Sequence, residues 1–227
     1  MRLTPGSVIA CKALLFDMDG TLIDSRIAVE RIWKAWCDEH GVDWHYVLPR
    51  LHGVRLADSV RSFAPAGVDI AVETARLYQL ELEQTDGIVP IPGAHELLAS
   101  LPADKWTIVT SADRELAHAR LQSAGIAPPP LMVCGDDVRE GKPDPEGYME
   151  GARRFGVAPA DTLVFEDAAA GIDAGLGAGA RVIAIAGDHP EELRDGVEWV
   201  TDLRTLRFAG IRDGLVELAV VESSADQ

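Results

Sequence analysis

The feature that most constrains the fold is an apolar segment near the N-terminus that ends in two carboxylates. Residues 13–16 are apolar and of strand length, and Asp17, Asp19 and Gly20 come immediately after them. Acids at the end of a buried parallel strand face the crevice in which α/β proteins bind ligands. Two carboxylates at this spacing project to the same side, so they repel each other unless a cation lies between them or their roles differ. The segment predicts a ligand site, and the alternative is a strand that ends in an ordinary Asp-Gly turn.

The overall charge excludes several classes of partner. The 227 residues include 37 acidic and 21 basic ones, which gives a formal net charge of −16 at pH 7. Such a chain is repelled by nucleic acids and by anionic membranes, so neither is expected as a partner. Any phosphate group must therefore be bound locally, by a metal ion, a lysine or backbone N–H groups.

The sequence has the pattern of a cytoplasmic protein. No apolar segment approaches membrane-spanning length, and the N-terminus does not have the form of a secretory signal. Three cysteines, Cys11, Cys37 and Cys134, are odd in number and too widely spaced for a zinc site or a disulfide framework. We expect them to be reduced, mostly buried thiols. The pattern leaves open whether the protein is a monomer or a small homo-oligomer.

Residues 24–88 are predicted to form a helical insertion without a strand. Its first helix has an apolar stripe along one face and ends at Gly41; the stripe consists of Val29, Ile32, Trp33 and Trp36. Helical patterns also cover residues 56–63 and 70–84. The two tryptophans are interpreted as packing residues, in preference to a platform for a substrate.

A loop between these helices contains two polar side chains of interest. Gly53 breaks the helical pattern, and His52 and Arg55 flank it. Such a loop could extend over a site for a phosphorylated sugar, and His52 and Arg55 would then bind substrate. A turn between helices with solvated charges explains the same residues, so both interpretations stay open.

The rest of the chain alternates between strand and helix patterns. The predicted strands cover residues 106–110, 131–134, 162–165 and 182–186, and the predicted helices cover residues 94–101, 114–124, 145–155 and 169–178. This alternation predicts an α/β fold, a Rossmann-like parallel sheet with the small all-α domain inserted after the first strand. Residues 1–23 and 89–227 would form the core, joined to the insertion by a two-strand hinge. An Asp-Gly pair at 213–214 predicts a terminal hairpin.

Polar side chains lie near the ends of three more predicted strands. They are Thr110, Ser111, Lys142, Glu166 and Asp167. Because the carboxyl ends of parallel strands meet at one edge of the sheet, we expect these side chains to converge on the crevice of the first two acids. Any one of them alone would be a weak signal, but their order along the chain makes a strong one.

Together with the first two acids, these segments resemble the four motifs of the haloacid dehalogenase superfamily of phosphohydrolases, along essentially the whole core. The resemblance implies that Asp17 is the nucleophile that accepts the phosphoryl group. It implies that Asp19 is the general acid for the leaving oxygen and then the base for water. Ser111, or in its place Thr110, would bind the phosphoryl oxygens, and Lys142 would link the phosphate to the nucleophile electrostatically.

The resemblance also implies a Mg²⁺ site. Asp17, Asp167 and the backbone carbonyl of Asp19 would be ligands, and Glu166 would be a further ligand or would contact one. Carboxylate and carbonyl oxygens are the hard ligands that Mg²⁺ requires, and the metal would keep Asp17 ionised as a nucleophile.

The same resemblance narrows the expected reaction. Dehalogenases and phosphonatases of the superfamily lack the second acid, Asp19, so both are disfavoured. The helical insertion resembles the C1-type cap of the superfamily, and the motifs resemble those of its sugar-phosphate, glycerol-3-phosphate and 2-deoxyglucose-6-phosphate phosphatases. The expected activity is hydrolysis of small phosphorylated sugars or polyols through an aspartyl-phosphate intermediate.

Two alternatives to this activity remain. A phosphosugar mutase resembling β-phosphoglucomutase shares all four motifs, and Ala168, where many mutase-like members carry serine, favours the phosphatase only slightly. The third interpretation is a catalytically silent phosphate-binding protein, which the intact Asp17, Asp19, Lys142 and Asp167 argue against. Release of inorganic phosphate distinguishes the phosphatase from both.

Overall fold

The computed structural model describes residues 1–187, 193 and 195–222. Its strands are β1 (Val8–Cys11), β2 (Ala13–Phe16), β3 (Ile23–Asp24), β4 (Val89–Pro90), β5 (Trp106–Val109), β6 (Met132–Val133), β7 (Thr162–Glu166), β8 (Arg181–Ile185), β9 (Glu198–Val200), β10 (Leu206–Arg212) and β11 (Leu215–Val220). Its α-helices are α1 (Arg26–His40), α2 (Trp44–Val47), α3 (Leu56–Phe63), α4 (Ile70–Glu83), α5 (Ala94–Ser100), α6 (Arg114–Ser123), α7 (Glu146–Arg154) and α8 (Ala169–Gly177).

Within these residues the main sheet has six parallel strands in the order β6-β5-β2-β7-β8-β9. Leu14 and Phe16 of the central strand β2 belong to one buried apolar cluster and Leu15 to another, so the sheet is covered on both faces. Phe16 also stacks on Phe165 of β7, with ring centroids 4.8 Å apart. The predicted α/β fold is confirmed. The sequence of β2 is apolar at every position because both of its faces are buried.

The helical insertion has an apolar core of its own. Helices α1, α3 and α4 contribute to a buried cluster that is separate from the two clusters on the sheet. Trp33 and Trp36 are 2% and 1% exposed and contact each other edge to face, which confirms their packing role. The first helix ends, as predicted, at Gly41, whose φ of 65° is the left-handed conformation that glycine adopts readily.

The insertion is connected to the sheet by the short strands β3 and β4. They pair in antiparallel fashion, with Ile23 opposite Pro90 and Asp24 opposite Val89. The predicted pairing of the two connecting segments is therefore present. Since β3 follows directly on the turn that carries the first two acids, this connection lies beside the predicted site.

A second, antiparallel sheet has the order β1-β11-β10. Sequence patterns indicate only its hairpin, which is confirmed: Asp213 and Gly214 have φ angles of 52° and 80°, as a tight hairpin turn requires. Strand β1 lies in a segment for which the sequence analysis predicts no strand. Its buried and exposed residues alternate over only four positions, and its partner β11 lies more than 200 residues along the chain.

The cysteines and the helices bear on two further expectations. Cys11, Cys37 and Cys134 are buried, free thiols, as predicted. Among the described residues, every helix is too short or too polar to cross a membrane.

Candidate active site

The two N-terminal acids lie at the carboxyl end of β2. Asp17 is 4% exposed, and its backbone N–H donates to the carbonyl of Phe165 in β7 over 2.9 Å. Gly20 has a φ of 88°, and a Cβ at this position would lie 1.9 Å from Oδ2 of Asp167. Only glycine allows the turn after β2 to pass this close to the acid that follows β7. The Asp-Gly turn therefore belongs to the site and is more than a strand end.

Lys142 connects the acids of the first and last motifs. Its Nζ donates to Oδ1 of Asp17 over 2.5 Å, to Oε1 of Glu166 over 2.6 Å and to the carbonyl of Val109 over 3.1 Å. Three partners use all three ammonium hydrogens. Burial disfavours the charged lysine, but the carboxylates of Asp17 and Glu166 outweigh it and raise the pKa of Lys142.

Glu166 is fully buried, and both of its oxygens accept hydrogen bonds. Oε1 accepts from Lys142 and from the hydroxyl of Tyr148, the latter over 2.9 Å. Oε2 accepts from the backbone N–H groups of Asp167 and Ala168 over 2.9 and 3.0 Å. A Cβ at Gly171 would lie 1.6 Å from Oε1, so the glycine leaves room for this carboxylate. Glu166 thereby fixes the position of Lys142.

Three acids form a group that could hold a metal ion. Asp17, Glu166 and Asp167 each place an oxygen within 4.8 Å of the others. Burial raises the pKa of Asp17, the Glu166 carboxylate raises it further, and Lys142 offsets part of the shift. Burial, Glu166 and Asp17 likewise raise the pKa of Asp167. Because each shift comes from crowded, desolvated negative charge, a divalent cation would stabilise the ionised forms, and an all-oxygen set suits magnesium.

Asp19 is oriented away from this group and towards the helical insertion. Its Oδ1 accepts from the hydroxyl of Ser25 over 2.6 Å and forms an ion pair with Nη1 of Arg120 at 2.9 Å. Arg120 is 7% exposed, and its Nη2 lies 3.0 Å from Oε2 of Glu81, which is also buried. The second acid is therefore in a different environment from Asp17.

The residues after β5 lie under the loop of the insertion. The hydroxyl of Ser111 donates to the carbonyl of Gly53 over 2.8 Å, which joins the core to the loop. Thr110 is buried, and its hydroxyl oxygen accepts from the backbone N–H of Ala112 over 3.1 Å. Ser111 is only partly buried, so its side chain is the more accessible of the two.

The loop residues predicted to bind substrate lie at the border between insertion and core. His52 is exposed. Arg55 donates from Nε to Asp58 over 2.7 Å and from Nη1 to the carbonyl of Arg139 over 2.9 Å. A Cβ at Gly141 would lie 2.6 Å from the Arg55 Nε, so the arginine also packs against the segment that carries Lys142.

A cavity of about 1030 Å³ lies between the insertion and the carboxyl edge of the sheet. Core residues that line it include Asp17, Asp19, Thr110, Ser111 and Arg120, and residues of the insertion that line it include Trp33, His52, Arg55, Tyr78 and Glu81. Its size suits a small phosphorylated metabolite. Lys142, Glu166 and Asp167 do not line this cavity, but Asp17 does, and it contacts the buried Lys142.

Comparison with known proteins decides the family. The sequence matches the haloacid dehalogenase-like hydrolases over residues 14–185, which include β2, the helical insertion and strands β5 to β8. The chain belongs to the haloacid dehalogenase-like hydrolase family. This confirms the resemblance found in the motifs.

Curated relatives in this family are phosphatases. Hexitol phosphatase A of Escherichia coli is 44% identical over 179 residues, which cover 77% of this chain and 83% of that protein. Glycerol-1-phosphate phosphohydrolase 2 of Saccharomyces cerevisiae is 34% identical over 185 residues, which cover 77% of this chain and 74% of that protein. They confirm the expected enzyme class, a phosphoric monoester hydrolase.

Solved structures agree with the fold. A hydrolase from Pseudomonas syringae, 26% identical, superposes with a TM-score of 0.73 over 84% of this chain and 94% of that one. The fold of this chain is thus shared with a hydrolase of known structure.

Three residues of this haloacid dehalogenase-like site were missed by the sequence analysis: Tyr148, Arg120 and Glu81. Tyr148 lies on the helix predicted over residues 145–155, to which the sequence analysis assigned no site residue. Arg120 did carry a signal, because it occupies the buried face of α6 together with Leu116 and Leu121. A charged residue at such a position requires a buried partner, but the sequence does not indicate that the partners are Asp19 and Glu81.

Proposed function

We propose that this protein is a magnesium-dependent phosphatase that hydrolyses small phosphorylated sugars or polyols through an aspartyl-phosphate on Asp17. Relatives named for hexitol phosphate, glycerol 1-phosphate and 2-deoxyglucose 6-phosphate support this substrate class. The observation that carries the proposal is Asp17 itself. It faces a metabolite-sized cavity on one side and contacts a buried, charged lysine on the other.

In the first step, an oxygen of Asp17 attacks phosphorus, and the bond from phosphorus to the sugar oxygen breaks. Asp19 donates a proton to that oxygen as it leaves. Lys142 holds Asp17 in place and offsets the negative charge that gathers at the phosphoryl group. The Ser111 hydroxyl, which donates to Gly53 in the structure, donates to a phosphoryl oxygen when substrate binds.

In the second step, Asp19 accepts a proton from water, which attacks phosphorus and releases inorganic phosphate and free Asp17. Residues 24–88 act as the cap over this site, and His52 and Arg55 contact the sugar or polyol. The cap must admit water once the first product has left, which distinguishes a phosphatase from a mutase.

Magnesium would be held by Asp17, Asp167 and the backbone carbonyl of Asp19. When bound, it supplies positive charge that offsets the negative charge of the carboxylates and the phosphate. Glu166 has hydrogen bonds on both oxygens, so we assign it the positioning of Lys142 in preference to metal binding.

The proposal includes a cytoplasmic enzyme, in keeping with its three free cysteines, that acts on a small soluble ester as a monomer or small homo-oligomer. Size-exclusion chromatography with light scattering would measure the oligomeric state.

The proposal is tested by incubating the purified protein and its Asp17→Asn variant with a panel of hexitol, glycerol and sugar phosphates in the presence of Mg²⁺. We expect the protein to release inorganic phosphate. The variant keeps the shape of Asp17 but loses the attacking charge, so its turnover falls by several orders of magnitude with the fold intact. Near-normal turnover by Asp17→Asn would contradict the mechanism, and conversion between sugar phosphates without net phosphate release would identify a mutase.

A further inference from the structure

Arg120 is a buried guanidinium that contacts one acid of the core and one acid of the cap. It lies on core helix α6, with Nη1 2.9 Å from Oδ1 of Asp19 and Nη2 3.0 Å from Oε2 of Glu81. Glu81 lies on helix α4 of the cap and is 6% exposed. The hydroxyl of Tyr78, one turn earlier on α4, donates to Glu115 of α6 over 3.3 Å. Helix α4 therefore rests on α6 through two polar contacts, one of which continues to Asp19.

The charges of Arg120, Asp19 and Glu81 offset one another. Burial alone would lower the pKa of Arg120, but Asp19 and Glu81 outweigh burial and raise it. Burial raises the pKa of Glu81, and Arg120 offsets part of that shift. One guanidinium therefore pairs with a buried acid of the cap and with Asp19 of the core. The fork of Arg120 spans the boundary between core and cap and ends on the acid to which the proposed mechanism assigns proton transfer.

We propose that Arg120 is a positioning residue, which with Ser25 holds Oδ1 of Asp19 and so leaves Oδ2 as the oxygen that exchanges a proton with the leaving group. Glu81 holds the other end of the guanidinium, so this orientation depends on helix α4 of the cap. The inference rests on the proposed function and deepens it, because it states which atom of Asp19 acts and what fixes that atom.

The chemistry follows from the contacts on Oδ1. This oxygen accepts a hydrogen bond from Ser25 and pairs with the charge of Arg120. In a protonated carboxyl group the carbonyl oxygen is the better acceptor, so the proton resides on Oδ2. That proton passes to the sugar oxygen while the bond from phosphorus to that oxygen breaks and the bond from phosphorus to Asp17 forms. Asp19 becomes a carboxylate that retains its contact with Arg120 until it takes a proton from water.

The competing explanation is that Arg120 only neutralises Glu81 and supports the fold. The two explanations differ in their dependence on the leaving group. A sugar or polyol leaves as an alkoxide that needs a proton, whereas p-nitrophenolate is stable without one. Loss of general-acid alignment must therefore reduce kcat/KM for the sugar phosphate far more than for p-nitrophenyl phosphate. Loss of structural support must reduce both alike.

The decisive variant is Glu81→Met/Arg120→Met, which removes both buried charges of the cap contact. Replacing a buried ion pair by apolar residues of similar size is often neutral for stability, so we expect the double variant to fold. Arg120→Met alone leaves Glu81 buried and unpaired, and its stability is compared by thermal denaturation. For the double variant we expect kcat/KM to fall roughly 10- to 100-fold for the best sugar or polyol phosphate, because the acid remains but is misaligned. For p-nitrophenyl phosphate we expect less than about a 3-fold change.

Equal losses on both substrates, or no loss on either, would overturn the inference. Glu81→Gln tests the connection to the cap: it keeps the shape but removes the charge, and we expect the same selectivity with roughly a 2- to 10-fold loss for the sugar phosphate. A Glu81→Gln variant with unchanged kinetics would show that the orientation of Asp19 does not depend on helix α4 of the cap.

Controls separate this inference from the proposed function. Asp19→Asn should show the strongest selective loss for the sugar phosphate. If it does and the double variant does not, the role of Arg120 is wrong and the phosphatase mechanism stands. If the unmodified protein releases no phosphate from any ester of the panel, the proposed function itself is wrong, and the inference falls with it.

Discussion

At the scale of single residues, the site is defined by which acid touches which cation. Asp17 shares Lys142 with Glu166, whereas Asp19 shares Arg120 with Glu81. Two acids that are neighbours in sequence are therefore held by separate cations in separate surroundings. Under the proposed mechanism, these separate surroundings suit an ionised nucleophile at one acid and proton transfer at the other.

Metal removal tests the acid group at this scale. We expect EDTA to abolish phosphate release and added Mg²⁺ to restore it, because Asp17 and Asp167 crowd like charges where the substrate brings more. Asp167→Ala should raise the Mg²⁺ concentration needed for half-maximal activity by at least about 10-fold, since it removes one ligand. Activity is measured against Mg²⁺ concentration, and full activity after thorough chelation would show that the acids serve another purpose.

The acids were predictable from sequence because their spacing and their position after strands are local properties. Arg120 and Glu81 were not, since they lie 39 residues apart on different helices and their contact arises from the packing of those helices. A charged residue on a buried helical face signals that some partner exists. Only the tertiary structure shows which one.

At the scale of elements, the loop between α2 and α3 is placed over the site by contacts with the core. Gly53 accepts from Ser111, and Arg55 donates to the carbonyl of Arg139. Both interpretations of this loop from sequence therefore have some support: Arg55 lines the cavity, and its charge is also paired with Asp58.

Arg55→Ala tests the loop. We expect kcat/KM for the best sugar or polyol phosphate to fall roughly 10- to 100-fold, the scale of one charged hydrogen bond, and hydrolysis of p-nitrophenyl phosphate to fall much less. Arg31→Ala is the matched control, because Arg31 is exposed on α1 and contacts Gln84. Equal losses on both substrates would indicate that Arg55 binds phosphate or supports folding. No loss on either substrate would favour the interpretation of the loop as a turn with solvated charges.

The start of α5 supplies a stability prediction for the element that follows the hinge. Gly93 has a φ of 86°, and a Cβ there would lie 2.3 Å from the backbone nitrogen of Arg204. Gly93→Ala should therefore lower Tm by roughly 5–10 °C, through both backbone strain and the clash with another backbone segment. Gly67→Ala is the control, because its φ of 93° is similar but no atom lies within 4 Å of the added Cβ. Similar Tm losses in both variants would show that the clash with Arg204 relaxes.

At the scale of the whole molecule, the cavity exists only where cap and core meet. The parallel sheet could be predicted because its strands alternate with helices along the chain. The small antiparallel sheet could not, apart from its hairpin, since β1 pairs with a strand at the other end of the described chain. The positions of the cap helices over the site also depend on contacts that no local pattern encodes.

A ligand that contacts both the cap and the core should stabilise the whole molecule. Inorganic phosphate with Mg²⁺, at about 100 times its dissociation constant, should add about 2.7 kcal/mol to the free energy of unfolding. For a chain of this length that corresponds to a rise in Tm of roughly 5–10 °C. Differential scanning fluorimetry with Mg²⁺ and chloride in place of phosphate is the control. An unchanged Tm at phosphate concentrations that inhibit the enzyme would argue against binding between cap and core.

The pairing of β1 with β11 has a consequence for how the protein is made in the cell. Residue 8 lies opposite residue 219, and residue 13 of the central strand lies opposite residue 162. The apolar cluster of the cap lies within residues 24–88, so its sequence is complete early during translation, whereas the sheet stays unfinished while most of the chain emerges from the ribosome. For that interval β1 and β2 lack their partners β11 and β7, and we expect these apolar segments to be prone to aggregation until the chain is complete.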